Sequence, residues 1–80
     1  MQMNTEQLPY LETFAKAAQL SSFTAAARSL GLTQAAVSQR IQALEHALKA
    51  PLFQRQSGHV LLSPAGHALY GYAQRILELH

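Results

Sequence analysis

Two helical segments with almost no joint between them constrain this chain most. Phe23 to Leu30, carrying Ala25, Ala26 and Ala27, reads as one helix, and Gly31 follows where a left-handed cap would end it. Leu32 fills the joint and Thr33 stands as N-cap of the next helix, whose apolar residues Val37, Ile41, Leu44 and Leu48 recur in steps of four, three and four. Two helices that cross steeply over so short a turn need a small residue at closest approach and apolar residues that lock the pair. Ala27 supplies the first, Leu30, Leu32, Val37 and Ile41 the second, and Gly31 gives the turn four residues after Ala27. The spacing predicts a helix-turn-helix, with a plain helical hairpin as the alternative.

The flanks favour the first reading. Leu8, Leu11, Phe14, Ala15 and Ala18 mark a preceding helix with Pro9 in its first turn, and Leu20-Ser21-Ser22 breaks the pattern. Residues 1–7 read as a frayed lead-in, with Asn4 or Thr5 available to cap a further turn. The second helix of the pair is expected over about Thr33–Leu48, with Pro51 beyond it as the stop. Leu52–Arg55 and His59–Leu62 then form two β-like runs around the turn residues Gln56-Ser57-Gly58. Ser63-Pro64 caps a last helix that runs to the chain end. The expected class is mainly α: a three-helix core, a two-stranded β wing and a long C-terminal helix, that is, a winged helix-turn-helix. Residues 1–62 would be the winged domain and 63–80 a linker and dimerisation helix.

Composition narrows the function. Six Lys/Arg against four Asp/Glu give a formal charge of +2, a balance that permits nucleic-acid binding without announcing it. Charged residues make up 12% of the chain, about half the usual share, which argues against a disordered polar tail. Apolar runs are too short to span a bilayer, and no signal peptide is evident. The absence of cysteine fits a reducing cytosol. Four scattered Glu, no Asp, no glycine-rich phosphate loop and two isolated histidines, His59 and His67, point away from catalysis, a metal site or a cofactor. The stronger rival to DNA binding is a helical protein-interaction module, which sequence-selective binding to duplex DNA would exclude.

Ser22-Phe23-Thr24-Ala25-Ala26-Ala27, Leu30, Gln34-Ala35-Ala36-Val37-Ser38, Ile41, Leu44-Glu45, Leu48, Leu52-Phe53 and Arg55 resemble the N-terminal winged helix of LysR-type transcriptional regulators. Leu62-Ser63-Pro64-Ala65-Gly66 resembles the start of that family's linker helix, so the likeness runs from about Leu8 to the end. The chain departs from the family at Ser21 and Lys49, where Gly is frequent, at Ala35, where Pro or Ser is common, and at Gln39-Arg40, where many members place Arg first. The resemblance implies a cytoplasmic regulator that binds an interrupted palindrome in double-stranded DNA as a homodimer, with a tetramer open to the full-length protein. A small-molecule effector would act only through a separate C-terminal domain.

Helical geometry, at about 100° per residue, then orders the candidates. With Val37, Ile41, Leu44 and Leu48 buried, the opposite face carries Ala35, Gln39, Gln42 and His46, with Ser38 beside them. The N-terminal part of a recognition helix reaches base edges, so Gln34, Ala35, Ser38, Gln39 and Gln42 are the base-reading candidates; the plain alternative is solvated helix surface. Arg40, on the flank, suits a phosphate, as does Arg28 from the preceding helix, with Ser22, Thr24 and Thr33 near the helix starts. Arg55 either reaches a phosphate or the minor groove from the wing, or pairs with Glu45 inside the domain. His59 is the weaker wing candidate, lacking arginine's permanent charge.

In the last helix Ala65, Leu69, Tyr72, Ile76 and Leu79 step by four, three, four and three, a short heptad-like seam suited to dimerisation. The alternative is packing on the domain itself, particularly for Leu69 and Ala73. The seam is still running at His80, which leads to the expectation of a fragment lacking its effector-binding domain.

Overall fold

The computed structural model describes residues 7–78. The candidate caps Asn4 and Thr5, and the seam residue Leu79, lie outside the described residues. Four helices and one hairpin follow in order: α1 Leu8–Leu20, α2 Phe23–Leu30, α3 Gln34–Leu48, β1 Phe53–Gln56, β2 His59–Leu62 and α4 Pro64–Glu78. The winged helix-turn-helix expected from the sequence is the fold observed.

Each boundary has a local cause. Ser22 caps α2 by accepting a hydrogen bond from the Ala25 amide at 3.0 Å, and Thr33 caps α3 by accepting from Ala36 at 3.0 Å. Gly31 takes the left-handed conformation (φ 68°) and lets the Leu32 amide return to the Ala27 carbonyl at 2.9 Å. The buried face of α1 is Leu11, Phe14 and Ala17 with Thr13; Ala15 and Ala18, expected there, are only half-buried. The second helix of the pair ends at Leu48, as expected, before Pro51 is reached. Lys49 turns left-handed (φ 56°) and donates back to the Glu45 and His46 carbonyls, so the chain has already left the helix when it reaches the proline.

Buried Ala26 and Ala27 let α2 come close to its neighbours, and the core gathers Leu11, Phe14, Val37, Ile41, Leu44 and Leu52 around them. Leu69 and Ala73 of α4 belong to the same core, so the last helix is part of the domain's packing at least as far as Ala73. Phe53, at the start of the wing, meets Phe14 with centroids 5.5 Å apart and Phe23 edge-on at 5.2 Å.

The strands pair antiparallel from Phe53 opposite Leu62 to Gln56 opposite His59. Ser57 and Gly58 alone close the hairpin, both at positive φ (51° and 79°), as a twist-matched two-residue turn requires. The wing is fastened at both ends. The Val60 amide reaches the Ser21 carbonyl at 3.5 Å, and at the base the Ser63 amide donates to Leu52 at 3.0 Å. Ser63 also accepts from the Gly66 amide at 3.0 Å and donates to the Pro51 carbonyl at 2.6 Å. A Cβ at position 66 would overlap the Leu52 carbonyl oxygen, so only glycine lets α4 start so close to the strand.

Two helices end on left-handed residues that carry a Cβ, Ser21 (φ 53°) and Lys49 (φ 56°). A side chain there costs about 1–2 kcal/mol, part of which glycine gives back in unfolded-chain entropy. Lys49→Gly and Ser21→Gly are each expected to raise stability by about 0.5–1 kcal/mol, read as an upward shift in the denaturant midpoint with an unchanged slope.

Candidate nucleic-acid interface

The pairing of α2 and α3 sets which side chains stand on the outer surface. Val37, Ile41 and Leu44 are turned inward, leaving Ala35, Gln39, Gln42 and His46 exposed on the far side of α3. Ser38 is half-buried at the edge of that face. Thr24 and Gln34, both exposed, are joined by a hydrogen bond in which the Thr24 hydroxyl donates to the Gln34 amide oxygen at 3.2 Å. That bond ties α2 to the first turn of α3 and leaves the Gln34 amide nitrogen with its donors facing outward. The caps Ser22 and Thr33 use their oxygens as acceptors within the fold, and each hydroxyl proton stays available to an acceptor outside it. Arg28 is exposed on the last turn of α2.

Arg40 is half-buried and held by α1. Its Nη1 donates to the Thr13 hydroxyl at 3.1 Å and lies 3.5 Å from the Pro9 carbonyl, and the guanidinium carbon sits 5.6 Å from the centroid of the Tyr10 ring. Sequence reasoning placed Arg40 on the flank of α3 but missed these three residues of α1. The one signal for them was Thr13 itself, a polar residue between Leu11 and Phe14 on an otherwise apolar face.

The wing carries Arg55 in β1 and His59 at the start of β2, both exposed. The pairing of Arg55 with Glu45 is not formed. Glu45 instead accepts the Leu52 amide at 2.8 Å, a charge-assisted bond that closes the α3–β1 connection. Arg55 is directed to solvent across the hairpin from Val60.

On α4 the seam residues divide. Leu69 is 8% exposed and belongs to the domain's own core, whereas Tyr72 is 64% exposed. Ala65 and Ile76 are half-buried against the core, and with Leu48, Ala50, Ala68 and Tyr72 they line a shallow, mainly apolar groove between the end of α3 and α4. Among the described residues no group of acidic, histidine or cysteine side chains could hold a metal ion, and no helix is long and apolar enough to cross a membrane.

Residues 8–67 match the family of bacterial regulatory helix-turn-helix proteins of the lysR family. The HTH-type transcriptional regulator HdfR of Yersinia pestis is 45% identical over 76 residues, covering 95% of this chain and 25% of the relative. An uncharacterised HTH-type transcriptional regulator of Methanocaldococcus jannaschii is 42% identical over 73 residues, again covering 25% of the relative's length. The chain therefore spans about a quarter of the curated relatives it matches. Among solved structures, the BenM DNA-binding domain in complex with catB site 1 DNA superposes with a TM-score of 0.84 at 38% identity, covering 89% of this chain and 79% of that one. The CbnR DNA-binding domain–DNA complex gives 0.84 at 36% identity, covering 90% and 83%. The surface of α2 and α3 thus has its counterpart in domains crystallised on DNA, and the chain belongs to the lysR family of helix-turn-helix transcriptional regulators, as their DNA-binding domain and not as an enzyme.

Proposed function

We propose that this domain reads a specific double-stranded DNA sequence with α3 in the major groove, the wing near the backbone or minor groove, and a second copy paired through α4. The observation that carries the reading is the outward face of α3, where Ala35, Gln39 and Gln42 are exposed and free of charge. Its partner is an interrupted palindrome, each half of it read by one copy. DNA as partner places the chain in the cytoplasm. A small-molecule effector would act through a separate domain of a longer protein, in which a tetramer is also open.

Gln suits the donor–acceptor edge of adenine, and a small apolar side chain suits the thymine methyl, so each half-site is read chiefly at A·T pairs. Duplexes selected from a random pool should be A·T-rich in the half-sites. Gln39→Ala is expected to relax the preference at one adenine by about 1–3 kcal/mol. Half-sites dominated by G·C and unchanged by Gln39→Ala and Gln42→Ala would refute the assignment.

Arg40, with Arg28, Thr24, Thr33 and Ser22, is assigned to phosphates, which fix register and not sequence. Arg55 and His59 take the same role on the wing, a reading favoured for Arg55 by its freedom from Glu45. Arg40→Ala should weaken binding to all duplexes alike and reduce the slope of log affinity against log salt by about one. A loss confined to one base position would instead make Arg40 a base reader.

The exposure of Tyr72 supports pairing through α4, with Ala65, Ile76 and Leu79 along the same seam and Leu69 beneath it. Tyr72→Glu should weaken dimers in sedimentation while leaving the melting temperature of the monomer unchanged. Dimers that persist at the same concentration would place the interface elsewhere.

A further inference from the structure

We infer that Thr13 and Tyr10 of α1 are positioning residues for DNA binding, holding the Arg40 guanidinium on the flank of the recognition helix. The inference rests on the assignment of Arg40 to a phosphate and adds how that contact is prepared. Thr13 is fully buried, on the face where α1 otherwise presents Leu11, Phe14 and Ala17 to the core. Its hydroxyl proton is committed to the Pro9 carbonyl at 2.8 Å. A hydroxyl has one proton and two lone pairs, so the oxygen is left to accept, and Arg40 Nη1 donates to it at 3.1 Å. The same Nη1 lies 3.5 Å from the Pro9 carbonyl, and the Tyr10 ring, with its centroid 5.6 Å from the guanidinium carbon, limits the remaining rotation.

The anchoring uses one edge of the guanidinium. An arginine has five N–H donors in a planar fork and no acceptor. Among the described residues the bonds shown to Arg40 are made by Nη1, which holds the direction of the guanidinium while leaving the donors on Nη2 and Nε to point along the same flank. Nearby on that flank, Ala36, Ala43 and Ala47 offer no side-chain donor. A free arginine side chain would lose rotamer entropy on meeting a phosphate; one already tethered through Thr13 loses less. Among the described residues no carboxylate forms an ion pair with Arg40.

The test is a double-mutant cycle on the 80-residue chain, measuring affinity for a mixed-sequence duplex over a series of salt concentrations. Thr13→Val should weaken binding about three- to tenfold when Arg40 is present and leave it unchanged when Arg40 is alanine. Thr13→Ser, which restores the hydroxyl, should recover the affinity. Tyr10→Leu, at an exposed position that keeps the fold intact, should show the same dependence on Arg40 with a smaller effect. Equal losses in both Arg40 backgrounds would make the role of Thr13 structural and overturn the inference while leaving the phosphate assignment standing. If Arg40→Ala alone leaves affinity and salt slope unchanged, the phosphate assignment itself fails and the positioning role falls with it. Should Thr13→Val not fold, Tyr10→Leu decides: a loss that vanishes without Arg40 supports positioning, and no loss overturns it.

Discussion

Leu52 is the residue on which the relative placement of the parts depends. Its side chain is fully buried, its amide is taken by the Glu45 carboxylate of α3, and its carbonyl accepts the amide of Ser63. Gly66 opens α4 directly against that carbonyl. One residue thus joins α3, the base of the wing and the last helix. No buried side-chain polar atom among the described residues lacks a partner, and the bonds that meet at Leu52 favour a fixed connection over a hinge. Ser63 reinforces it from the other side by bonding Pro51 while capping α4. The orientation of the wing relative to α3 follows from these few bonds, together with the tilted and edge-on contacts of Phe53 with Phe14 and Phe23.

What could be read from the sequence was what depends on near neighbours. Gly31, Thr33 and Ser63 act on residues two to four positions away, and their roles as cap or turn were legible from type and spacing. The stripe Val37, Ile41 and Leu44 likewise fixed which face of α3 is exposed. The end of α3 at Leu48 was legible from its apolar stripe, but Lys49 gives no local sign of the left-handed cap that makes it. Only the family resemblance hinted at it, through the frequent glycine at that position. Ser21 is the same case at the end of α1.

The contacts that escaped sequence reasoning join residues far apart in the chain. Arg40 and Thr13 are 27 positions apart, and nothing in the order of residues says that the N-terminal turns of α1 pass beside the middle of α3. Glu45 had a visible basic candidate in Arg55, but its actual partner is a backbone amide, which every residue except proline carries and which no sequence pattern can single out. The split of the α4 seam also depended on the third dimension. A regular heptad looks the same whether its residues meet a second copy or their own domain, and only the packing separates Leu69 from Tyr72.

The close seating of Gly66 against Leu52 makes α4 a lever with a short, stiff root. Leu69 and Ala73 seat α4 in the core beyond that root, the helix runs about 18 Å from Gly66 to Glu78, and a tilt of about 10° shared with the domain would carry its far end through roughly 3 Å. Because the root is shared with α3 and the wing, such a tilt cannot be absorbed locally. Whatever holds the far end of α4 would then set the tilt of α3 and the wing, and two domains yoked by that end would have the separation of their α3 helices set by the angle between their levers.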